Sequence, residues 1–200
     1  KKKTTNLSFY GSQSLPKKHN HIIFRFKNFK LIYNDPRRFG FFKILKNKKD
    51  YLKFFTRIGP EAISKDFNKK YLDKILKNRT KNIKNLLLDQ KLVSGLGNIY
   101  VNEILFQAKI NPFRKSYLIN LDENKRIVKY SKIILKKAIH FGGSSIRDFK
   151  GITGKSGNFQ SEFKVYDRAK KRCSRNNCSG QISRKIISNR STFICSVCQK

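Results

Sequence analysis

The four cysteines of this chain are the residues whose spacing most clearly predicts a chemical role. They are Cys173, Cys178, Cys195 and Cys198, arranged as C-x4-C and C-x2-C with sixteen residues between the two pairs. Two close pairs joined by a short hairpin can place four thiolates at the corners of a tetrahedron, which is how proteins hold structural zinc. We therefore predict one structural Zn2+, since four thiolates leave no open position for substrate. Two disulfides in a secreted module are the alternative, disfavoured because the rest of the chain contains no cysteine.

A second group of interest lies in residues 90–100, whose sequence is QKLVSGLGNIY. The two glycines permit tight turns and close approach of the backbone, and Asn98 belongs to a residue type that caps helix starts. Free N–H groups at a helix start can bind a phosphate. From these residues alone, a phosphate site and an ordinary corner between two helices are equally good interpretations.

The charge of the chain indicates the kind of partner. There are 47 Lys and Arg residues against 12 Asp and Glu, giving a net charge of +35. Such a field attracts polyanions, although an AT-rich genome also raises the number of lysines. The basic residues are spread along the chain and no apolar run approaches the roughly 20 residues of a membrane helix, so a membrane partner is disfavoured. We expect nucleic acid as the partner.

The elements that must position these residues are predicted in the order strands, helices and metal hairpin. Residues 22–26, 30–33 and 39–44 are rich in β-forming side chains and predict strands. Apolar periodicity predicts helices that begin near residues 50, 68, 83, 99 and 121. A glycine-rich loop over residues 150–161 leads into the hairpin. The fold class is therefore α+β.

Five motifs, in order, resemble those of the formamidopyrimidine-DNA glycosylase family. Residues 83–103 resemble its helix–two-turn–helix, and residues 34–40 (NDPRRFG) resemble its intercalation loop. Residues 142–149 (GGSSIRDF) and 154–159 (GKSGNF) resemble the segment before the lesion loop and the loop itself. Residues 191–200 (STFICSVCQK) resemble its zinc finger. Any one motif is weak, but five in the family's order make a specific match.

This resemblance implies an α+β protein of three parts. Residues 1–48 would be the remnant of an N-terminal β-sandwich catalytic domain, residues 49–149 the helix–two-turn–helix DNA-binding domain, and residues 150–200 the lesion loop and β-hairpin zinc finger. The implied function is base-excision repair of 8-oxoguanine and formamidopyrimidines in double-stranded DNA, with abasic-site lyase activity by β,δ-elimination. The family flips the damaged nucleotide out of the duplex before the chemistry. A monomer in the bacterial cytoplasm or an organelle is expected.

The resemblance also implies roles for individual residues. Arg37, Arg38 and Phe39 match the loop that fills the space left by the flipped base, where an aromatic wedge unstacks a base step. Arg190 matches the finger arginine that binds the phosphates flanking the lesion and donates a proton in the second elimination. The implied DNA-binding set is His19, Arg37, Arg38, Phe39, Asn98, Lys155 and Arg190.

Two departures from the family pattern leave alternatives open. The family's N-terminal Pro-Glu has no counterpart, since Lys1 is not that proline, so we expect that this chain alone does not cut DNA. Asp167 stands where the family has glycine. A non-catalytic zinc-finger remnant that clamps damaged or kinked DNA is therefore an alternative. A zinc-ribbon transcription accessory protein is disfavoured, because it has no need of residues 35–40. The sister group that acts on oxidised pyrimidines is disfavoured by the wedge Arg37-Arg38-Phe39 and by residues 154–159.

Overall fold

In chain order, one short antiparallel hairpin precedes the helices and another follows them. The computed structural model describes residues 17–144 and 157–200. β1 (Asn20–Arg25) pairs with β2 (Lys30–Asn34), and β3 (Ile182–Ile187) pairs with β4 (Arg190–Cys195). This mixture of helices and antiparallel hairpins confirms the predicted α+β class.

Asparagine side chains begin most of the helices of the body. The helices of the described residues are α1 (Lys48–Phe55), α2 (Lys69–Leu76), α3 (Ile83–Leu88), α4 (Asn98–Gln107) and α5 (Leu121–His140). The side chains of Asn47, Asn68, Asn82 and Asn120 each accept a backbone N–H from the first turn that follows. Such caps satisfy N–H groups that have no partner inside the helix, so they fix where each helix starts.

The central element is α4, which packs against α3, α5 and β4. Its residues from Val101 to Phe106 are all buried, including the polar Asn102 and Glu103. Buried polar side chains are stable only when they are hydrogen-bonded, so this helix must meet polar partners in a neighbouring element. Within the part of the chain that the structure describes, no helix is long and apolar enough to cross a bilayer.

The strand predicted over residues 39–44 is wrong. The side chains of these residues pack against the neighbouring hairpin and helix. The ring of Phe42 lies 4.9 Å from that of Tyr33 and 5.4 Å from that of Phe24, and the ring of Phe41 lies 5.9 Å from that of Phe54 in α1. A strand requires a backbone partner, and β1 and β2 pair with each other. The aromatic content that suggested a strand instead serves packing.

Candidate nucleic-acid interface

The corner between α3 and α4 is braced by the side chain of Gln90. Its Nε2 donates to the carbonyl of Leu96 at 2.9 Å, and its Oε1 accepts the N–H of Gly95 at 3.0 Å. Gly95 has a φ of 83°, a conformation that glycine adopts without strain. Gly97 is the N-cap of α4 and no side chain caps the helix, so Asn98 does not act as the cap that its residue type suggested. Asn98 is the first residue of the helix, and its side chain reaches a neighbouring strand.

The β3–β4 hairpin turns through two residues and presents Arg190 at its tip. Ser188 and Asn189 have φ values of 48° and 58°, and Ile187 pairs with Arg190. Two consecutive positive φ values are typical of the type I′ turn, which matches the twist of the strands it joins. Asn85 of α3 donates from Nδ2 to the hydroxyl of Ser188 at 2.8 Å, which ties the tip to the helix.

The outer edge of β4 is bound by polar side chains of α3 and α4. The carbonyl of Ser191 accepts from Asn98 Nδ2 at 3.0 Å and from Lys84 Nζ at 2.9 Å. Oδ1 of Asn102 accepts the N–H of Phe193 at 2.8 Å. Alternate residues of an antiparallel strand point their backbone groups away from the partner strand, and here the helices satisfy them. This docking holds Arg190 close to the start of α4.

Glu103 fastens α4 to the segment that leads into the first cysteine. Its carboxylate accepts the backbone N–H groups of Lys164 at 3.0 Å, Val165 at 2.9 Å and Tyr166 at 2.8 Å. Burial raises the pKa of Glu103, while the three backbone hydrogen bonds act in the opposite direction. A carboxylate saturated by backbone donors inside the protein has a structural role, so we assign Glu103 to docking and not to chemistry.

The four cysteine thiols converge on one point. Their Sγ atoms all lie within 4.8 Å of one another, with Cys173 3.8 Å from Cys198 and Cys178 3.7 Å from Cys195. Tetrahedral coordination with metal–sulfur bonds of about 2.3 Å places the sulfur atoms about 3.8 Å apart. The thiols are not bridged to one another as disulfides. The cluster therefore has the donor set and the spacing to hold one metal ion.

A second surface is shaped by Asp35. Its carboxylate accepts the backbone N–H groups of Arg37 at 3.1 Å, Arg38 at 2.9 Å and Gly40 at 2.7 Å, and the hydroxyl of Tyr33 at 3.1 Å. The hydrogen bond from Gly40 is the largest of the influences that lower the pKa of the Asp35 carboxyl. The side chain of Asp35 therefore sets the backbone shape of the loop over residues 35–40.

This loop projects an aromatic ring into solvent. Phe39 is 77% exposed, and the guanidinium carbon of Arg37 lies 4.7 Å from the centre of its ring. Arg38 has a φ of 54°, which the hydrogen bonds to Asp35 hold in place. The carbonyl of His19 accepts the N–H of Asp35 at 3.0 Å, so His19 lies at the base of the loop. A large exposed apolar ring beside cations is suited to stacking against bases.

Comparison with known proteins identifies the family. Residues 58–150 match the model of the formamidopyrimidine-DNA glycosylase H2TH domain. Over 194 residues the chain is 43% identical to the formamidopyrimidine-DNA glycosylase of Roseobacter denitrificans, an alignment that covers 96% of this chain and 69% of that protein. The chain belongs to the formamidopyrimidine-DNA glycosylase family.

Solved structures of formamidopyrimidine-DNA glycosylases share the fold. Lactococcus lactis Fpg in complex with DNA containing an abasic site is 37% identical, with a TM-score of 0.82 over 94% of this chain and 69% of that one. MutM in complex with DNA containing carbocyclic 8-oxo-G is 36% identical, with a TM-score of 0.81 over 94% and 68% of the two chains. These matches confirm the family resemblance that the motifs indicated.

Asp167 departs from the glycine that the family pattern has before the first cysteine. Its φ is 55°, in the left-handed region that glycine enters without strain. Aspartate is among the non-glycine residues that tolerate this region best. Asp167 therefore has a backbone conformation that a glycine at this position would also adopt.

The predicted DNA-binding residues fall into two groups in this glycosylase-family chain. Arg37, Arg38 and Phe39 lie on the loop that Asp35 shapes, with His19 at its base, while Asn98 lies beside the strand that begins with Arg190. Lys155 lies outside the described residues, as do residues 154 and 156 of the predicted lesion loop. Sequence reasoning missed Lys84, since nothing in the sequence distinguishes this lysine from the other basic residues.

Proposed function

We propose that this member of the formamidopyrimidine-DNA glycosylase family acts in base-excision repair. It binds double-stranded DNA at oxidised purines and abasic sites. Release of 8-oxoguanine and formamidopyrimidines and cleavage of the abasic strand further require the family's N-terminal Pro-Glu, for which none of residues 1–200 is a counterpart. The observation that carries the proposal is the docking of β4 on α3 and α4, which presents Arg190 beside Asn98. Relatives with this fold have been solved with abasic and 8-oxo-G DNA, which supports the same substrates here.

In this proposal the two surfaces have different tasks. Arg190 and Asn98 bind phosphates, because a guanidinium can contact a phosphate through two N–H groups and an amide can add a third donor. Phe39 enters the duplex at the lesion, with Arg37 and Arg38 contacting the unpaired base or nearby phosphates. In the family's complete reaction, Arg190 would also be the proton donor of the second elimination. His19 and Lys155 complete the DNA-binding set.

We further propose that the ion held by Cys173, Cys178, Cys195 and Cys198 is Zn2+. An all-thiolate tetrahedral set is typical of structural zinc sites, and the spacing of the sulfur atoms fits it. When bound, the ion supplies folding energy to the hairpin and takes no part in the reaction. Its contribution to function is to keep the backbone of Arg190 in place.

Equilibrium binding to three duplexes that differ at one nucleotide tests the proposed function. The central position holds guanine, 8-oxoguanine or a tetrahydrofuran abasic analogue, at one fixed salt concentration, and fluorescence anisotropy reports the affinity. We expect the abasic duplex to bind at least about tenfold more tightly than the undamaged one, because no base must be unstacked there.

Phe39→Ala and Phe113→Ala are the matched variants, since both remove an exposed phenylalanine. We expect Phe39→Ala to reduce the preference for the abasic duplex and Phe113→Ala to leave it unchanged. Equal affinity of the wild-type chain for all three duplexes would contradict the proposal.

A further inference from the structure

Lys84 is a buried lysine that joins α3 to the first residues of β4. Its side chain has 0% exposure, although lysine is among the residues least often buried. Its Nζ donates to the carbonyl of Ser191 at 2.9 Å and to the hydroxyl of Thr192 at 2.7 Å. More than 100 residues separate the two segments in sequence, with a separation of 107 for the Ser191 contact. The side chain of Lys84 therefore links two segments that only the tertiary fold brings together.

No carboxylate among the described residues forms a salt bridge with Lys84. The charged group that acts on it is Arg190, which carries the same sign. Burial, and then the charge of Arg190, lower the pKa of Lys84 to about 8. Burying an unpaired charge beside a like charge is unfavourable for the free protein. An anion bound close to Arg190 would stabilise both cations, and a DNA phosphate is such an anion.

The contacts of Lys84 continue to the backbone of Arg190. The hydroxyl of Thr192, which accepts from Lys84, itself donates to the carbonyl of Arg190 at 3.3 Å. The carbonyl of Ser191 is shared between Lys84 and Asn98. The ammonium group of Lys84 therefore fixes both Ser191 and Thr192, the two residues after Arg190, relative to Asn98.

We propose that Lys84 is a positioning residue for DNA binding, holding Arg190 and Asn98 in register so that both can contact the DNA backbone together. The inference rests on the proposed function, in which those two side chains bind phosphates. Lys84 acts through Arg190, because its own ammonium group is buried beneath the strand. Replacing Lys84 should therefore weaken DNA binding only while Arg190 is present.

A double-mutant cycle tests this dependence. Lys84→Met, Arg190→Ala and the double variant are compared with the wild-type chain by anisotropy, on the tetrahydrofuran duplex and on the undamaged duplex. Coupled neighbours typically show interaction energies that correspond to factors of about two to a hundred. We expect Lys84→Met to weaken binding about tenfold when Arg190 is present and less than about twofold when it is absent.

Three further variants separate positioning from folding and from loss of charge. Thr192→Val removes the hydroxyl that accepts from Lys84 and should also couple to Arg190, whereas Thr192→Ser keeps the hydroxyl and should bind as the wild type does. Lys125→Met removes an exposed lysine and should leave affinity almost unchanged. Metal content and thermal unfolding are measured for every variant.

The inference would be overturned if Lys84→Met reduced DNA affinity by the same factor with and without Arg190. It would also be overturned if the effects of Thr192→Val and Arg190→Ala on affinity showed no coupling. Thr192→Val decides the question if Lys84→Met fails to fold. A wild-type chain that does not prefer the abasic duplex contradicts the proposed function instead. The coupling can still be measured on the undamaged duplex, because phosphate contacts do not depend on the lesion.

Discussion

Several residues of the interface act by shaping the backbone around them. Asp35 accepts three backbone N–H groups of the loop that carries Phe39, and Lys84 holds the two residues that follow Arg190. Neither side chain needs to touch DNA to affect binding. An aspartate that accepts backbone N–H groups further along the chain restrains a turn, so the carboxylate of Asp35 orders this exposed loop.

Removal of the Asp35 carboxylate should weaken recognition without unfolding the protein. We expect Asp35→Ala to lower affinity for the tetrahydrofuran duplex several-fold, because Phe39 is then no longer held in one position. Asp66→Ala, which removes an exposed aspartate elsewhere, is the control. Anisotropy measures affinity, and circular dichroism checks that the helices are intact. An affinity for Asp35→Ala equal to that of Asp66→Ala would show that the loop needs no such restraint.

Some of these residues could be predicted from the sequence and others could not. The spacing of Cys173, Cys178, Cys195 and Cys198 predicts their convergence, because close pairs of cysteines have a local geometric consequence. The role of Lys84 depends on contacts with Ser191 and Thr192, residues that only the tertiary fold brings near. Local patterns carry no information about such a contact.

Among the elements, the β3–β4 hairpin depends most on its surroundings. A two-stranded hairpin is at best marginally stable in water on its own. Here the four thiols lie at one end, while side chains of α3 and α4 bind the outer edge of β4. The hairpin therefore depends on the helices, and on the ion that we propose at the four thiols, in order to present Arg190.

Elemental analysis should find about one zinc per chain in protein purified without added metal. Cys195→Ser should lose the metal and the order of the hairpin, because metal binding and local folding are coupled. Ser196→Ala changes the neighbouring exposed residue and should keep both. Amide hydrogen exchange measures the order of β3 and β4. Protection of the hairpin in metal-free protein would contradict this role of the ion.

The helices were easier to predict than the strands for a physical reason. Asn68, Asn82 and Asn120 cap helices whose apolar periodicity is visible locally, so their starts agree with the sequence-based expectation. The strand expected over residues 39–44 failed because strand formation depends on a distant backbone partner. The N-cap of α4 is Gly97, one residue before Asn98. The sequence could not choose between them, because glycine and asparagine are both common at the N-cap.

For the whole molecule, the net charge of +35 favours DNA without choosing a site. Counterion release makes any such binding strongly dependent on salt. What distinguishes a specific interface from a general basic surface is that particular phosphate-binding groups, charged or neutral, are fixed relative to one another. The docked hairpin does this for Arg190 and Asn98, which the sequence alone could suggest only through resemblance to the family.

The salt dependence of binding by the wild-type chain and by Arg190→Ala tests this account most directly. If about 6–10 phosphates are contacted, wild-type affinity for an abasic duplex should fall by about three to five orders of magnitude between about 50 and 200 mM salt. Arg190→Ala should bind more weakly at low salt, and its slope of log affinity against log salt should be smaller by about one. Lys125→Ala should keep the wild-type slope. Identical affinities and slopes for the wild type and Arg190→Ala across this range would contradict the central claim that the docked hairpin presents Arg190 to a DNA phosphate.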